Sequence, residues 1–334
     1  IFHGVGKFDP ATGEPLSKGG QSFSSVFGEA LCTLAGQDRR ICAVTAAMQP
    51  GTGLDGFAQK FPQRFFDVGI AEGHAVTMCA GMAKQGLIPV FAVYSTFLQR
   101  AYDMLIHDVA LQNLHVVFCV DRAGLVGEDG ETHHGVFDVG FLDTIPGMTV
   151  LSPASFAELR TMLRYAVLEV KGPVAIRYPR GGEGIYTADS GLESAVILRE
   201  GTDVTLAGYG VQVNALLEAA EQLEKEHISV ELVKLNIITP TPAELLYRSL
   251  EKTGKLWFYE ECMEFNCVGQ RVAAALAVGG AAARHITLRN LGDRVPPQGT
   301  VAELRRMNRL DAESIAGQVR EVIGIEKASG CTSG

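Results

Sequence analysis

Glu72 stands alone between a short apolar strand candidate, Phe65 to Val68, and what reads as the first turn of a helix, in the run Asp67-Val-Gly-Ile-Ala-Glu-Gly-His-Ala-Val76. A carboxyl so placed has two possible uses. If largely removed from water, it can share a proton with a ring nitrogen of a bound heterocycle and drive that ring towards another tautomer. Otherwise it simply gains from the positive end of the helix macrodipole.

Three further segments carry groups suited to binding or proton transfer. Tyr94-Ser-Thr-Phe-Leu-Gln-Arg-Ala-Tyr-Asp103 follows an apolar strand, so Phe97 and Arg100 emerge where α/β sheets place their ligands. Phe97 can stack on a flat ring, or it can belong with Tyr102 to the core of a helix. The loop Gly127-Glu-Asp-Gly-Glu-Thr-His-His-Gly135 brings three carboxylates and two histidines between glycines. Adjacent His133 and His134 do not normally reach one ion, which favours a substrate-contacting loop over a metal site and leaves no residue assigned to a metal. There His133 can relay protons near neutral pH and Asp129 can accept hydrogen bonds from substrate hydroxyls. Finally, Arg122, Arg177 and Arg180 lie at strand ends, where two guanidinium forks can hold a phosphate, although surface ion pairing would also account for each one singly.

The rest of the chain must position these groups. Its 334 residues suffice for two domains, and 47% hydrophobic with 20% charged residues is a globular composition. A formal charge of −9 argues against nucleic acid, and no apolar stretch is long enough for a bilayer. The longest one, Val272 to Ala283, reads as a buried helix. Seven scattered cysteines without a CxxC pair point to a reducing cytoplasm. The chain opens at Ile1, which looks like a cut and not a native start.

From residue 21, apolar strands at Ile41 to Ala46, Val90 to Tyr94, His115 to Asp121, Thr149 to Leu151 and Val174 to Tyr178 alternate with helices near 24–35, 72–85, 97–112 and 155–169. A second cycle has strands at Val204 to Ala207, Val230 to Ile237, Leu256 to Tyr259 and Ile286 to Leu288. Its helices are one carrying Leu216, Leu217, Ala220 and Leu223, then 242–252, 270–283 and 311–324, the last with Asp311 as N-cap. Strands apolar on both faces predict parallel sheets covered by helices on each side. The expected fold class is therefore α/β, with two doubly wound, mainly parallel-sheet domains. The divisions are a connector arm at 1–20, a first domain at 21–182, a linker at 183–198, a second domain at 199–326 and a disordered tail at 327–334.

Taken together, these segments resemble the 1-deoxy-D-xylulose-5-phosphate synthases, thiamine diphosphate enzymes related to transketolase. The most specific matches are Tyr94 to Asp103, Asp121-Arg-Ala-Gly-Leu-Val-Gly127, Asp129-Gly-Glu-Thr-His133 and Arg177-Tyr-Pro-Arg-Gly181. The resemblance implies pyrimidine-binding and C-terminal domains of transketolase type. It also implies a reaction joining pyruvate to glyceraldehyde 3-phosphate with loss of carbon dioxide, which feeds isoprenoid, thiamine and pyridoxal biosynthesis. By motif, Glu72 activates the cofactor's aminopyrimidine, with Phe97 stacked on it and Ile70 beside it. Tyr94, Arg122 and Arg180 hold the acceptor phosphate, Arg100 is a further substrate contact, and Asp129 and His133 face the reacting substrates. A cytoplasmic homodimer is implied.

Three departures qualify this. Gly73 stands where the family has glutamine, at a cost of up to about 1 kcal/mol in a helical first turn. The stretch Glu260-Glu-Cys-Met-Glu-Phe-Asn-Cys-Val-Gly269 replaces a glycine-rich turn and carries no expected catalytic role. The family's Gly-Asp-Gly motif with its distant asparagine, which holds the diphosphate and Mg²⁺, has no counterpart in these residues. The chain therefore matches the second half of such enzymes and is expected to be inactive unless an N-terminal domain is supplied in cis or as a separate fragment. The other readings are the β subunit of a 2-oxo-acid dehydrogenase, the small half of a split transketolase, and a non-catalytic remnant.

Overall fold

The computed structural model describes residues 8–14, 20–281 and 284–330, with side chains described as far as residue 324. Two sheets carry the chain. The first contains β1 (Ile41–Thr45), β2 (Phe65–Asp67), β3 (Ile88–Tyr94), β4 (Val117–Asp121), β5 (Thr149–Leu151) and β6 (Val174–Arg177). The second contains β7 (Ala195–Arg199), β8 (Val204–Tyr209), β9 (Val230–Leu235), β11 (Lys255–Tyr259) and β12 (His285–Arg289). Between β9 and β11 runs β10 (Ile237–Thr239), which joins the first sheet. The orders are β10-β5-β6-β4-β3-β1-β2 and β12-β11-β8-β9-β7, parallel throughout except at the edge strands β10 and β7.

Strands β1, β4, β6, β8 and β9 are buried along their whole length, because helices cover both faces of each sheet and leave no polar side to the pattern. On one face of the first sheet, the helices Phe23–Gln37 and Phe156–Leu168 enclose a core with Phe27, Val90, Leu159 and Ile176. The first of them starts on a Ser22/Ser25 capping box, the second on Ser155. The opposite core runs from Val44 and Phe91 through Phe118 to Leu235, Leu256 and Phe258, so the two sheets share one apolar mass.

Several expected elements differ. The single strand Val230 to Ile237 is broken at buried Asn236, and Ile237 leaves the second sheet to pair antiparallel with Leu151. Asn236 donates its side-chain amide to the Glu193 carbonyl and its backbone N–H to the Ser194 carbonyl, which turns the backbone out of line. The expected helix at 97–112 is a series of short α, 3₁₀ and π turns from Ser95 to Gln112, ended by left-handed Asn113. Such mid-helix irregularity often accompanies a functional site. The stretch 183–198 is not a free linker, since Glu183 accepts from the Phe156 backbone and the segment enters β7 at Ala195. The helix expected as buried over 270–283 is Val268–Leu276 followed by a π turn; it buries one face, with Val272 and Leu276 in the core, while Val278 of the turn is 91% exposed, and 282–283 lie outside the described residues. The last helix spans Ala312–Gly330, so the expected tail begins helical at 327, and 331–334 lie outside the described residues. Asp311 does accept from Ser314 N at its start. Of the arm, 1–7 and 15–19 also lie outside them.

Candidate active site

The site residues converge because parallel strands end together. Tyr94 at the end of β3 is in register with Asp121 at the end of β4, and Asp67 closes β2 beside Thr45 of β1. Asp67 Oδ1 accepts from Ala47 N (2.8 Å) and Gly69 N (2.9 Å), and Gly69 takes a left-handed φ of 72° that an L side chain resists. This turn delivers Glu72 as the first residue of the helix Glu72–Lys84, 3% exposed and with no side-chain cap before it. A Cβ at Gly73 would meet only the end of the flexible Met104 side chain, 2.6 Å from its Cε.

From Glu72 a line of cations and rings crosses the site. Arg100 Nη1 donates to Glu72 Oε1 at 2.6 Å, while its guanidinium carbon lies 4.7 Å from the centre of the Phe97 ring. Phe97 stacks on Tyr94 with centroids 5.8 Å apart and planes 22° apart. Arg122 covers Tyr94 at 3.7 Å, and its Nη1 reaches Asp121 Oδ1 at 3.2 Å. Two buried carboxylates, Glu72 and Asp121, thus terminate a ladder of guanidinium, two aromatic rings and guanidinium. Each cation–ring contact is worth roughly 0.5–2 kcal/mol, more as water is excluded.

The ladder is flanked by the Gly127 to Gly135 loop, which is closed by reciprocal backbone bonds between Gly124 and Gly135. His133 meets Phe97 edge-on at 5.4 Å. Asp129 pairs with Arg180 at 3.2 Å, and Arg180 also donates to the Val126 carbonyl. The charges of Arg122, Asp121, Asp129 and Arg180 all act on Tyr94, whose hydroxyl burial pushes above its ordinary value. His134 faces away: Val126 N donates to its Nδ1, and its Nε2 donates to the Pro297 carbonyl. It is a structural residue that ties the loop to Pro297.

The structure therefore brings Glu72, Tyr94, Phe97, Arg100, Arg122, Asp129, His133 and Arg180 together, but Arg100 stands on Glu72, not beside the other two arginines. Ile70 is 80% exposed on the turn before Glu72. Arg177 is withdrawn into a buried pair with Asp138 at 2.8 Å. Among the described residues no group of three or more His, Cys, Asp or Glu could hold a metal ion. Glu260 caps the helix Val268–Leu276 through the backbone N–H groups of Val268 and Gly269, and Glu261 accepts from Leu125 N and pairs with Arg305. Sequence reasoning missed Asp121, whose only signal is a carboxylate closing an otherwise apolar strand. It also missed Ser24, which carries no signal, and Gly51, where a Cβ would stand 1.8 Å from the Tyr94 hydroxyl.

A flat nitrogen heterocycle fits this geometry. The Arg100 guanidinium is planar, donates N–H to the Glu72 carboxylate and lies against the Phe97 ring, the contacts that the ring-protonated or imino form of an aminopyrimidine would make with the same two residues.

The model for the transketolase pyrimidine-binding domain matches residues 20–182, and that for the transketolase C-terminal domain matches 193–315. The 1-deoxy-D-xylulose-5-phosphate synthase of Carboxydothermus hydrogenoformans is 46% identical over 96% of the chain and 52% of its own length. The enzyme of the same name from Heliobacterium modesticaldum is 44% identical over 98% of the chain and 51% of its length. The chain thus spans about half the length of the curated relatives it matches. Among solved structures, a split-gene transketolase described as an inactive β4 tetramer superposes with a TM-score of 0.80 at 28% identity, over 91% of this chain and 98% of that one. With both family models matched in order and the fold shared, the chain belongs to the transketolase family, comprises its pyrimidine-binding and C-terminal domains, and resembles the C-terminal half of 1-deoxy-D-xylulose-5-phosphate synthases.

Proposed function

We propose that the chain supplies the pyrimidine half of a thiamine diphosphate site in a 1-deoxy-D-xylulose-5-phosphate synthase, which condenses pyruvate with glyceraldehyde 3-phosphate. The observation that carries this reading is the Glu72-Arg100-Phe97-Tyr94-Arg122-Asp121 ladder, beside Asp129, His133 and Arg180. Thiamine diphosphate, when bound, would supply the electron sink that lets a 2-oxo acid lose carbon dioxide. The chain's own residues then have distinct tasks. Glu72 holds a proton at the pyrimidine nitrogen, in a setting where water does not compete for it. Phe97 offers its face to the ring in place of the Arg100 guanidinium. Arg122 and Arg180 hold the acceptor phosphate, with Tyr94 between them, and fix the aldehyde near the reacting carbon. His133 and Asp129 border the same space and exchange protons with the substrate oxygens.

The diphosphate and Mg²⁺ fall to residues outside these 334, so the chain by itself is inactive. The working assembly is a cytoplasmic homodimer that makes a precursor for isoprenoids, thiamine and pyridoxal. Among the described residues no helix is long and apolar enough to cross a membrane, and the six described cysteines are free thiols. A second reading, the small subunit of a two-chain transketolase-type enzyme, is favoured by the match to nearly the whole split-gene chain. The test adds the diphosphate-binding half of a synthase to this chain and follows carbon dioxide release from pyruvate. Dependence on glyceraldehyde 3-phosphate supports the synthase. Turnover of a ketose phosphate donor in place of pyruvate supports the second reading.

A further inference from the structure

Consecutive residues on a strand point to opposite faces, so an Asp-Arg pair at i and i+1 normally cannot meet. Asp121 and Arg122 do meet, because Arg122 adopts a left-handed φ of 59° just after β4 and returns its guanidinium over Tyr94. A non-glycine residue in that region costs on the order of 1 kcal/mol, and such strain concentrates where function requires it. Arg122 Nη1 is held by Asp121 Oδ1 at 3.2 Å and by the Gly51 carbonyl at 2.9 Å, while Nε is buried and has no acceptor. Asp121 itself is 0% exposed, and its other oxygen accepts from Ser24 Oγ at 2.7 Å.

We infer that Asp121, oriented by Ser24, is a positioning residue that sets the Arg122 guanidinium for the acceptor's phosphate. This rests on the phosphate role proposed above for Arg122. The arrangement is a relay of fixed contacts: the helix starting at Phe23 presents Ser24, Ser24 fixes the Asp121 carboxylate, and the carboxylate fixes one N–H edge of the fork. The other edge keeps an orphaned donor for an incoming oxygen, and leaving such a donor buried without a partner is costly until one arrives. Gly51 belongs to the same device, since its bare Cα leaves room for the hydroxyl end of Tyr94, whose ring lies under the guanidinium, and its carbonyl accepts from Arg122 Nη1.

Charge alone predicts the opposite effect. Removing a negative group next to an anion site strengthens anion binding, whereas removing a positioning group weakens it. The sign therefore decides. The experiment titrates inorganic phosphate into the 334-residue chain by calorimetry, for the wild type, Asp121→Asn, Ser24→Ala and Arg122→Ala. In the enzyme completed with a diphosphate-binding half, it compares KM for glyceraldehyde 3-phosphate with KM for unphosphorylated glyceraldehyde. Phosphate affinity should fall roughly tenfold in Asp121→Asn and by a smaller factor in Ser24→Ala, with KM rising more for the phosphorylated acceptor than for the other. Phosphate binding as tight as wild type or tighter in both variants overturns the inference. Ser24→Ala alone decides it if Asp121→Asn does not fold. Unchanged affinity in Arg122→Ala overturns the phosphate site itself, and the inference with it.

Discussion

The same carboxylate gives a stability experiment whose magnitude follows from its surroundings. Burial pushes Asp121 from an ordinary 3.8 to about 6, and this outweighs Arg122 and Ser24, which both favour the charged form. Between these values the folded protein keeps a proton on Asp121 that the unfolded chain has released, so the contribution of Asp121 to wild-type stability falls as pH rises from about 4 to about 6 and returns on acidification. At 1.36 kcal/mol per tenfold change in protonation, the charged carboxylate costs the fold about 3 kcal/mol above that window. Asp121→Asn removes the titration while keeping an acceptor for Ser24. Its stability relative to wild type should therefore rise across the window and level off above pH 6. In thermal unfolding followed by circular dichroism, the gain in relative Tm amounts to roughly 6–12 °C for a domain of this size. A wild-type minus variant difference that stays flat from pH 4 to 8 refutes the reasoning, because it means that Asp121 titrates alike in the folded and unfolded chain. The buried charge is then a stability cost tolerated for the placement of Arg122.

Three further outcomes are expected. Glu72→Ala in the completed enzyme should lose at least about 10²-fold in turnover, as general acid–base groups contribute roughly 10²–10⁴, and near-normal turnover removes Glu72 from its role. Arg100→Ala uncovers Glu72 and the Phe97 face, so an aminopyrimidine fragment of the cofactor should bind the chain several-fold more tightly by calorimetry; weaker binding shows that the guanidinium assists the ring and does not stand in its place. Lys234 and Glu158 form a fully buried pair at 2.9 Å that ties β9 to the helix Phe156–Leu168, with Tyr186 and Ser190 also donating to Glu158. Lys234→Met should cost about 3–5 kcal/mol in urea unfolding by leaving a carboxylate uncompensated, and Lys234→Met with Glu158→Leu should recover much of it.

What the sequence determined by itself was the alternation of apolar strands and amphipathic helices and the mainly parallel character of both sheets, and it singled out Glu72, Phe97, Arg122, Asp129 and Arg180 as candidates but not Asp121, Ser24 or Gly51. These are local properties: a strand buried on both faces is apolar at every position, and Glu72 and Asp129 stand in runs that declare their turns. Tertiary structure decided the rest. Only the register of β3 with β4 places Tyr94 beside Asp121, and only the left-handed Arg122 folds its guanidinium back onto both, a contact that the alternation of side chains along a strand argues against. His133 and His134 are identical in sequence terms, yet one borders the Phe97 ring and the other is fixed to Pro297, 163 residues away. Ile237 looks continuous with β9 but completes the other sheet, because its partner Leu151 lies outside any window that reads neighbours along the chain. Periodicity records which residues must be buried. Which buried groups meet depends on long-range packing, and there Arg100 met Glu72 while Arg177 was withdrawn from the site.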